Sequence, residues 1–350
     1  MNLFVKGNDA IVIGALYAGC EAYFGYPITP ASEIAHSAAK WFPETGRVFL
    51  QAECETNSIN MVYGAAASGK LSMTASSGPG ISLMQEGISY LVGAQLPAVI
   101  VNIMRTGPGL GNVGPEQGDY NQSVKGAGHG NSHNIVLAPD SIQEMCDFTI
   151  HAFSLAVKYR NPAIILADGV LGQMMEPLHL PESETPQPDT KSWALHGDAQ
   201  TRNNLITSII LEPEDQEEFN IFLQKKYANM QCEAMAESWL TEDADIILTG
   251  YGISGRIAKT AVEELRSENI KAGFFRPQTL YPFPTEQLRK AISPKTKILV
   301  VELSNGQYRD DLQFHLNNSS IPIYLTNRMG GMLVDVKSIL EKAKKIIDAN

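Results

Sequence analysis

The chain has 350 residues, 44% of them apolar and 19% charged, proportions that suit two soluble domains with sizeable cores. Acidic residues outnumber basic ones by 38 to 27 and no Lys/Arg cluster stands out, which argues against a nucleic-acid partner. No apolar run reaches the roughly 18 residues of a membrane span, and Cys20, Cys54, Cys146 and Cys232 form neither a disulfide framework nor a CxxC cluster motif.

Ala10 to Cys20 is apolar and ends Tyr17-Ala18-Gly19-Cys20, loosely like a lipoprotein signal. A signal peptide also needs a positive n-region, and here Lys6 is offset by Asp9. The stretch reads instead as a helix starting at Gly7-Asn8-Asp9, with Asn8 or Asp9 as cap, and the expected compartment is cytoplasmic. From there to about Gly169 short apolar runs alternate with helical periods. Strands are predicted at 22–26, 48–51, 71–76, 98–104, 135–138 and 163–167. Helices are predicted at 56–68, 81–94 and 141–159, the last with Met145, Phe148, Thr149, Phe153 and Val157 on one face. This alternation predicts an α/β fold, a doubly wound parallel sheet covered on both faces.

Pro177, Pro181, Pro186 and Pro188 then predict a linker to about Thr190. A polar stretch to about Asp243 reads as a connecting arm with one long helix beginning near Pro213-Glu214-Asp215. A second, smaller α/β unit follows, with strands at 245–249, 271–275, 297–302 and 321–325. Its helix 255–268 is expected to be capped by Ser254, and a last helix spans 335–348. The expected division is 1–180, 181–242 and 243–350.

Three motifs fall at the carboxyl ends of successive strands, where ligands bind in open α/β sheets. Tyr26-Pro27-Ile28-Thr29-Pro30 is a loop stiffened by two prolines and presenting a hydroxyl, suited to a substrate carboxylate or carbonyl; it is also a plain strand-to-helix turn. Glu53-Cys54-Glu55 opens a helix. A carboxylate at Glu55 could sit beside N1′ of a thiamine aminopyrimidine and favour its imino tautomer, or be an ordinary first-turn acid. Ser76-Ser77-Gly78-Pro79-Gly80 lets a ligand approach the backbone, or is simply a tight turn. Arg105 ends a buried strand, where a guanidinium can clamp a 2-oxo acid's carboxylate or make an ordinary ion pair.

Gly109-Leu110-Gly111-Asn112-Val113-Gly114 fits GxGxxG, but Pro115-Glu116-Gln117-Gly118-Asp119 follows without a helical period, so a binding loop is expected and not a dinucleotide site. His129, farther along, reads as a solvated loop residue. Met174 and Met175 line a pocket or pack between units. Arg276-Pro277-Gln278-Thr279-Leu280-Tyr281-Pro282-Phe283-Pro284 reads as a rigid interdomain or intersubunit surface.

Together with Arg105-Thr106-Gly107-Pro108 and Gln117-Gly118-Asp119, these motifs resemble the pyrimidine domain of the 2-oxoacid:ferredoxin oxidoreductases. Gly250-Tyr251-Gly252 through Phe275-Arg276-Pro277 to Ser304-Asn305-Gly306-Gln307 is similar to their transketolase-C-terminal-like domain. Arg105 to Pro115 and Gly169 to Pro177 look most like the branched-chain, 2-oxoisovalerate members; Glu53-Cys54-Glu55 departs from the more usual Glu-Asp-Glu. The resemblance implies Glu55 as the cofactor-activating acid and Thr29 and Arg105 as substrate-carboxylate contacts. It implies Tyr26, Pro27, Ile28, Ser77, Gly78 and Pro79, with Glu55, as thiamine-diphosphate contacts. The implied reaction is oxidative decarboxylation of a branched-chain 2-oxo acid to acyl-CoA and CO2, with reduction of ferredoxin.

No Gly-Asp-Gly with a following Asn-Asn occurs at the spacing of a diphosphate–magnesium motif, nor a cysteine set for an iron–sulfur cluster. The resemblance therefore implies a hetero-oligomer. A diphosphate-domain subunit shares the thiamine diphosphate and carries Mg2+, a ferredoxin-like subunit carries the iron–sulfur clusters, and a gamma-type subunit completes the assembly. Coenzyme A is co-substrate. A 2-oxoglutarate or pyruvate enzyme, a non-redox two-chain thiamine enzyme and a non-catalytic scaffold are the competing expectations. Lys125 is the candidate second cation for a distal carboxylate.

Overall fold

The computed structural model describes residues 2–126, 128–317 and 320–349. Its strands are β1 (Asn2–Lys6), β2 (Ala22–Gly25), β3 (Val48–Gln51), β4 (Ser72–Ser76), β5 (Ala98–Met104), β6 (Ile135–Leu137) and β7 (Pro162–Asp168). They continue with β8 (Met175–His179), β9 (Ala236–Trp239), β10 (Ile246–Thr249), β11 (Ala272–Pro277), β12 (Thr279–Tyr281), β13 (Lys297–Glu302) and β14 (Ile323–Asn327). The largest sheet runs β12-β6-β7-β5-β4-β2-β3, all parallel except β12, which pairs antiparallel with β6. A second sheet runs β14-β13-β10-β11-β9, parallel except for β9, and β1 with β8 makes a separate antiparallel pair.

Strands β5 and β7 are buried at every position, as central parallel strands covered on both faces must be. They pair over their full length, Ala98 with Pro162 through Met104 with Asp168. The helix Ile142–Tyr159 packs over them. Ser141 caps it by accepting the Glu144 N–H at 3.2 Å, and Arg160 ends it in the left-handed region at φ 46°. Its expected face is buried at Met145, Phe148, Thr149 and Phe153.

Three expectations are corrected, and the interdomain surface expected at Arg276 to Pro284 takes the form of a strand. The first helix, Gly7–Tyr17, has Lys6 at its cap position and no side-chain cap bond. Asn8 is buried and donates instead to the Pro30 carbonyl at 2.8 Å and to Glu33, while Asp9 accepts from Ser37. Ser254 is likewise no cap: the helix Gly252–Ser267 begins two residues earlier, and Ser254, inside its first turn, donates to Gln117. In both cases a tertiary partner outcompetes the local bond. The start of the linker is the strand β8, with Pro177 opposite Phe4 in a two-stranded pair where a missing N–H is tolerated. Finally, Thr279–Tyr281 leaves the second sheet's run of chain and adds β12 to the edge of the first. The arm does carry its long helix, Pro213–Asn229, and the last helix, Val336–Asp348, is capped by Asp335.

The carboxyl ends of the two parallel sheets converge on one seam. Asp168, ending β7, accepts the N–H groups of Val170 and Leu171 at 3.1 Å and of Ile253, just after β10, at 2.9 Å. Gln117 donates to the Tyr251 carbonyl at 2.8 Å and accepts from Ser254 Oγ and the Leu303 N–H, both at 2.9 Å. Arg276 is buried among Glu144, Glu237 and Asp140, with nitrogen–oxygen distances of 2.7, 3.0 and 3.3 Å. Met174 packs against the cores of both units, while Met175 is exposed on β8. Of the two uses expected for the methionines, packing is therefore the one Met174 serves.

Candidate functional site

The loops after β2, β3, β4 and β5 meet at the carboxyl edge of the large sheet. Glu55 is the first residue of the helix Glu55–Ala67 and is only 6% exposed. Among the described residues none pairs with or donates a hydrogen bond to its carboxylate. The next turn packs tightly on it: a Cβ placed on Gly80 would lie 2.0 Å from Ser76 Oγ and 2.5 Å from Glu55 Oε1, a collision with both. Only a glycine lets the turn approach the two oxygens this closely. The Ser76 and Ser77 hydroxyls are buried there without hydrogen-bond partners. Gly78, at φ 40° and ψ −105°, turns the chain ahead of Pro79, the first residue of the helix Pro79–Gly93.

Arg105 is half-buried just beyond β5. Its Nη1 donates to the Thr29 carbonyl at 2.9 Å and its Nη2 to the Leu110 carbonyl at 3.2 Å, while Nε is buried and unpartnered. Its Cγ would be 3.6 Å from a Cβ on Gly78. Thr29 and Arg105 therefore meet, but through the Thr29 backbone; the hydroxyl is on an exposed residue. Tyr26 is exposed, Pro27 is partly buried, Ile28 packs against the core, and Thr29-Pro30 is cis. Glu55, Ser76, Ser77 and Gly80 thus form one cluster, and Thr29, Gly78 and Arg105 a second. The Ser76–Gly80 turn joins them.

Sequence reasoning gave no role to Asn102 and Asp119. Asn102 is a buried polar residue in an otherwise apolar strand, which is the signal that marks it. Its Nδ2 donates to Asp119 at 3.0 Å. The Gly78 backbone lies close enough to Asp119 to favour its ionised form, but burial outweighs it and raises the carboxyl above the usual range. The glycine-rich loop closes on itself through Thr106 N–H to the Gly114 carbonyl at 3.0 Å and is tied to the second unit by Glu116, which accepts the Gly330 N–H at 2.8 Å. The helix that eventually follows, Tyr120–Val124, has five residues and does not start at the glycines. Lys125 is engaged by the buried Asp311 carboxylate, and His129 is exposed.

The profile described as "Pyruvate flavodoxin/ferredoxin oxidoreductase, thiamine diP-bdg" matches residues 13–239, and "Pyruvate:ferredoxin oxidoreductase core domain II" matches residues 244–339. The chain is 56% identical to the ketoisovalerate oxidoreductase subunit VorB of Methanothermobacter thermautotrophicus, over 98% of this chain and 97% of that protein. It is 38% identical to the 2-oxoglutarate synthase subunit KorA of Archaeoglobus fulgidus, over 87% and 88% of the two chains. Among solved structures, the 2-oxoglutarate:ferredoxin oxidoreductase from Magnetococcus marinus with 2-oxoglutarate, coenzyme A and succinyl-CoA bound superposes with a TM-score of 0.89 at 26% identity. The match covers 99% of this chain and 65% of that one.

Proposed function

The chain belongs to the pyruvate and 2-oxoacid flavodoxin/ferredoxin oxidoreductase family, and from that premise we propose that it is the pyrimidine-binding subunit of a 2-oxoisovalerate:ferredoxin oxidoreductase. The complex converts a branched-chain 2-oxo acid, with coenzyme A, to the acyl-CoA and CO2 and reduces ferredoxin. The observation that carries the substrate is the 56% identity over 98% of the chain to a ketoisovalerate oxidoreductase subunit, against 38% to a 2-oxoglutarate synthase subunit. The Lys125–Asp311 pair supports it, because the cation considered for a second carboxylate is already engaged.

The chemistry of these residues suits an aminopyrimidine. A buried carboxylate without a partner and the buried, unpartnered hydroxyls of Ser76 and Ser77 are polar groups left for a ligand to satisfy, and Gly80 lets the next helix come close to them. Glu55 would hold the ring, and Ser77, Gly78, Pro79, Tyr26, Pro27 and Ile28 would contact the cofactor. Thiamine diphosphate, when bound, supplies the electron sink that decarboxylation of a 2-oxo acid requires. Glu55 holds and releases a proton at the pyrimidine edge. Arg105 presents its free N–H groups to the substrate carboxylate, and Thr29 offers a hydroxyl beside it. Among the described residues no group of three or more His, Cys, Asp or Glu is arranged for a metal ion, and no helix is long and apolar enough to cross a membrane. In this reading the Mg2+ with the diphosphate half, and the iron–sulfur clusters, lie on partner subunits in the cytoplasm.

Two measurements test it. Coenzyme-A-dependent viologen reduction by the purified complex, with 2-oxoisovalerate, pyruvate and 2-oxoglutarate, is expected to give the highest kcat/KM on 2-oxoisovalerate. Its margin over pyruvate should be about 10- to 200-fold, the scale of apolar-pocket discrimination. A preference for 2-oxoglutarate would overturn the substrate. Arg105→Lys is expected to raise KM about 10- to 100-fold with a smaller effect on kcat, since an ammonium cannot brace both carbonyls and a carboxylate together. An unchanged KM would remove Arg105 from the substrate site.

A further inference from the structure

Resting on that reading, one requirement remains. Glu55 must exchange its proton with solvent, yet it is 6% exposed in this chain alone, and the partner that completes the site covers it further. We propose that a water-bridged polar passage running from Glu55 past Ser76 and Asn102 to Asp119 carries that proton to the cleft between the two units.

The passage is written into the face of the sheet. Ser72, Thr74 and Ser76 alternate toward one side of β4, and Asn102 is the register partner of Ser76 on β5, so its side chain points the same way. All four are buried. Thr74 Oγ1, Ser76 Oγ and Asn102 Oδ1 have no hydrogen-bond partner. A single orphan of this kind costs about 1–3 kcal/mol, so several on one face of two neighbouring strands mark a place for ordered water.

The links are short. Ser76 Oγ and Glu55 Oε1 lie 2.0 and 2.5 Å from one position on Gly80, hence at most about 4.5 Å apart, a span that one water bridges. Adjacent strands lie about 4.8 Å apart, so one water also spans Ser76 to Asn102. Asn102 Nδ2 holds Asp119 at 3.0 Å. Asp119, with Glu116, Ser304 and Gln307, lines a cleft of about 300 Å3 that opens to solvent. The charged groups facing Asp119 are Glu116 and Arg105, and burial, aided by Glu116, raises its carboxyl.

The transfer balances without any other reactant. Glu55 gives one proton to the Ser76 hydroxyl or the water beside it; the hydroxyl releases its own proton onward and is unchanged. The water held by Asn102 passes one proton to the Asp119 carboxylate, and Asp119 releases one to water in the cleft. The reverse sequence reloads Glu55. Asn102 does not titrate, and serves as a positioning residue for the water.

The test is Asp119→Asn in the complete complex. The change keeps the side chain's size and an amide oxygen that can accept from Asn102 Nδ2, and removes the titrating group. It is expected to lower kcat about 10-fold, below the 10²–10⁴ of a group that acts directly, to raise the solvent deuterium isotope effect, and to leave KM for the 2-oxo acid unchanged. A crystal structure of the wild-type complex is expected to show waters in hydrogen-bond range of Ser76 Oγ and Asn102 Oδ1. Should Asp119→Asn fail to assemble, Ser76→Ala with the same readouts replaces it. A dry strand face, or an unaltered isotope effect in whichever variant assembles, overturns the passage. Either result leaves the role of Glu55 standing, which fails only if Glu55 variants are themselves silent.

Discussion

Replacing Glu55 with glutamine should lower kcat of the assembled complex by roughly 10²–10⁴, the scale of a positioned acid–base group, while KM for the 2-oxo acid stays within about threefold. Glutamine preserves the side chain's length and can lie against Gly80 as glutamate does, so packing is left intact. What disappears is the carboxylate. The site gives it a helix N-terminus, almost no solvent and no competing protein donor. A group so placed cannot be replaced by bulk water, which the buried recess excludes. Initial-rate kinetics of the variant complex, together with its thiamine diphosphate content, check the prediction. A fall in kcat under about threefold with cofactor bound would remove Glu55 from the chemistry.

The second large effect concerns stability. Arg276→Met should destabilise the chain by about 3–5 kcal/mol, the cost of leaving buried charges uncompensated. Arg276 is 2% exposed and faces Glu144, Glu237 and Asp140, while Gln278 adds a hydrogen bond to Glu144. Burial already pushes the Asp140 carboxyl up to about 7, with Glu144 adding to the rise and only the guanidinium opposing it. Between about pH 4 and 7 the folded chain therefore holds a proton at Asp140 that the unfolded chain has lost, and stability from this group falls as pH rises. Without Arg276, Asp140 loses the charge that opposes its rise, and Glu144 loses the guanidinium that holds its carboxyl below the usual range. The loss in the variant should consequently be greater at pH 8 than at pH 5. Urea denaturation at the two values, followed by tryptophan fluorescence, measures it; an equal loss at both would contradict the assignment of the strain to the carboxylates.

Much of the fold was legible from local pattern. Val48–Gln51, Ala98–Met104 and Lys297–Glu302 occupy the predicted residues, because an uninterrupted apolar run bounded by turn residues has few other uses. The misses share one cause. Asn8 and Ser254 are good caps in isolation, yet each bonds a group far away in sequence, and no window around either residue contains its partner. β12 is three residues long and is a strand only because β6 lies beside it. The same limit applied at the site. The loops after β2, β3 and β4 could be read from the chain because each carries its own turn chemistry. The meeting of Asn102 with Asp119, and of Arg105 with the Thr29 carbonyl, depends on which loops the sheet order brings together. The polar Asn102 in an apolar strand was the one visible hint.

The placement of β12 also bears on how such a protein can be divided. It lies between two stretches of the second sheet, β11 and β13, yet closes the edge of the first beside Ile135–Leu137. A gene split in the connecting arm would leave the amino-terminal product with a bare, apolar strand edge, a template for misassembly. The carboxyl-terminal product would carry an orphaned strand. The two sheets are stitched by the chain itself, so a fission of this gene at the arm would have to keep both products together from synthesis onward.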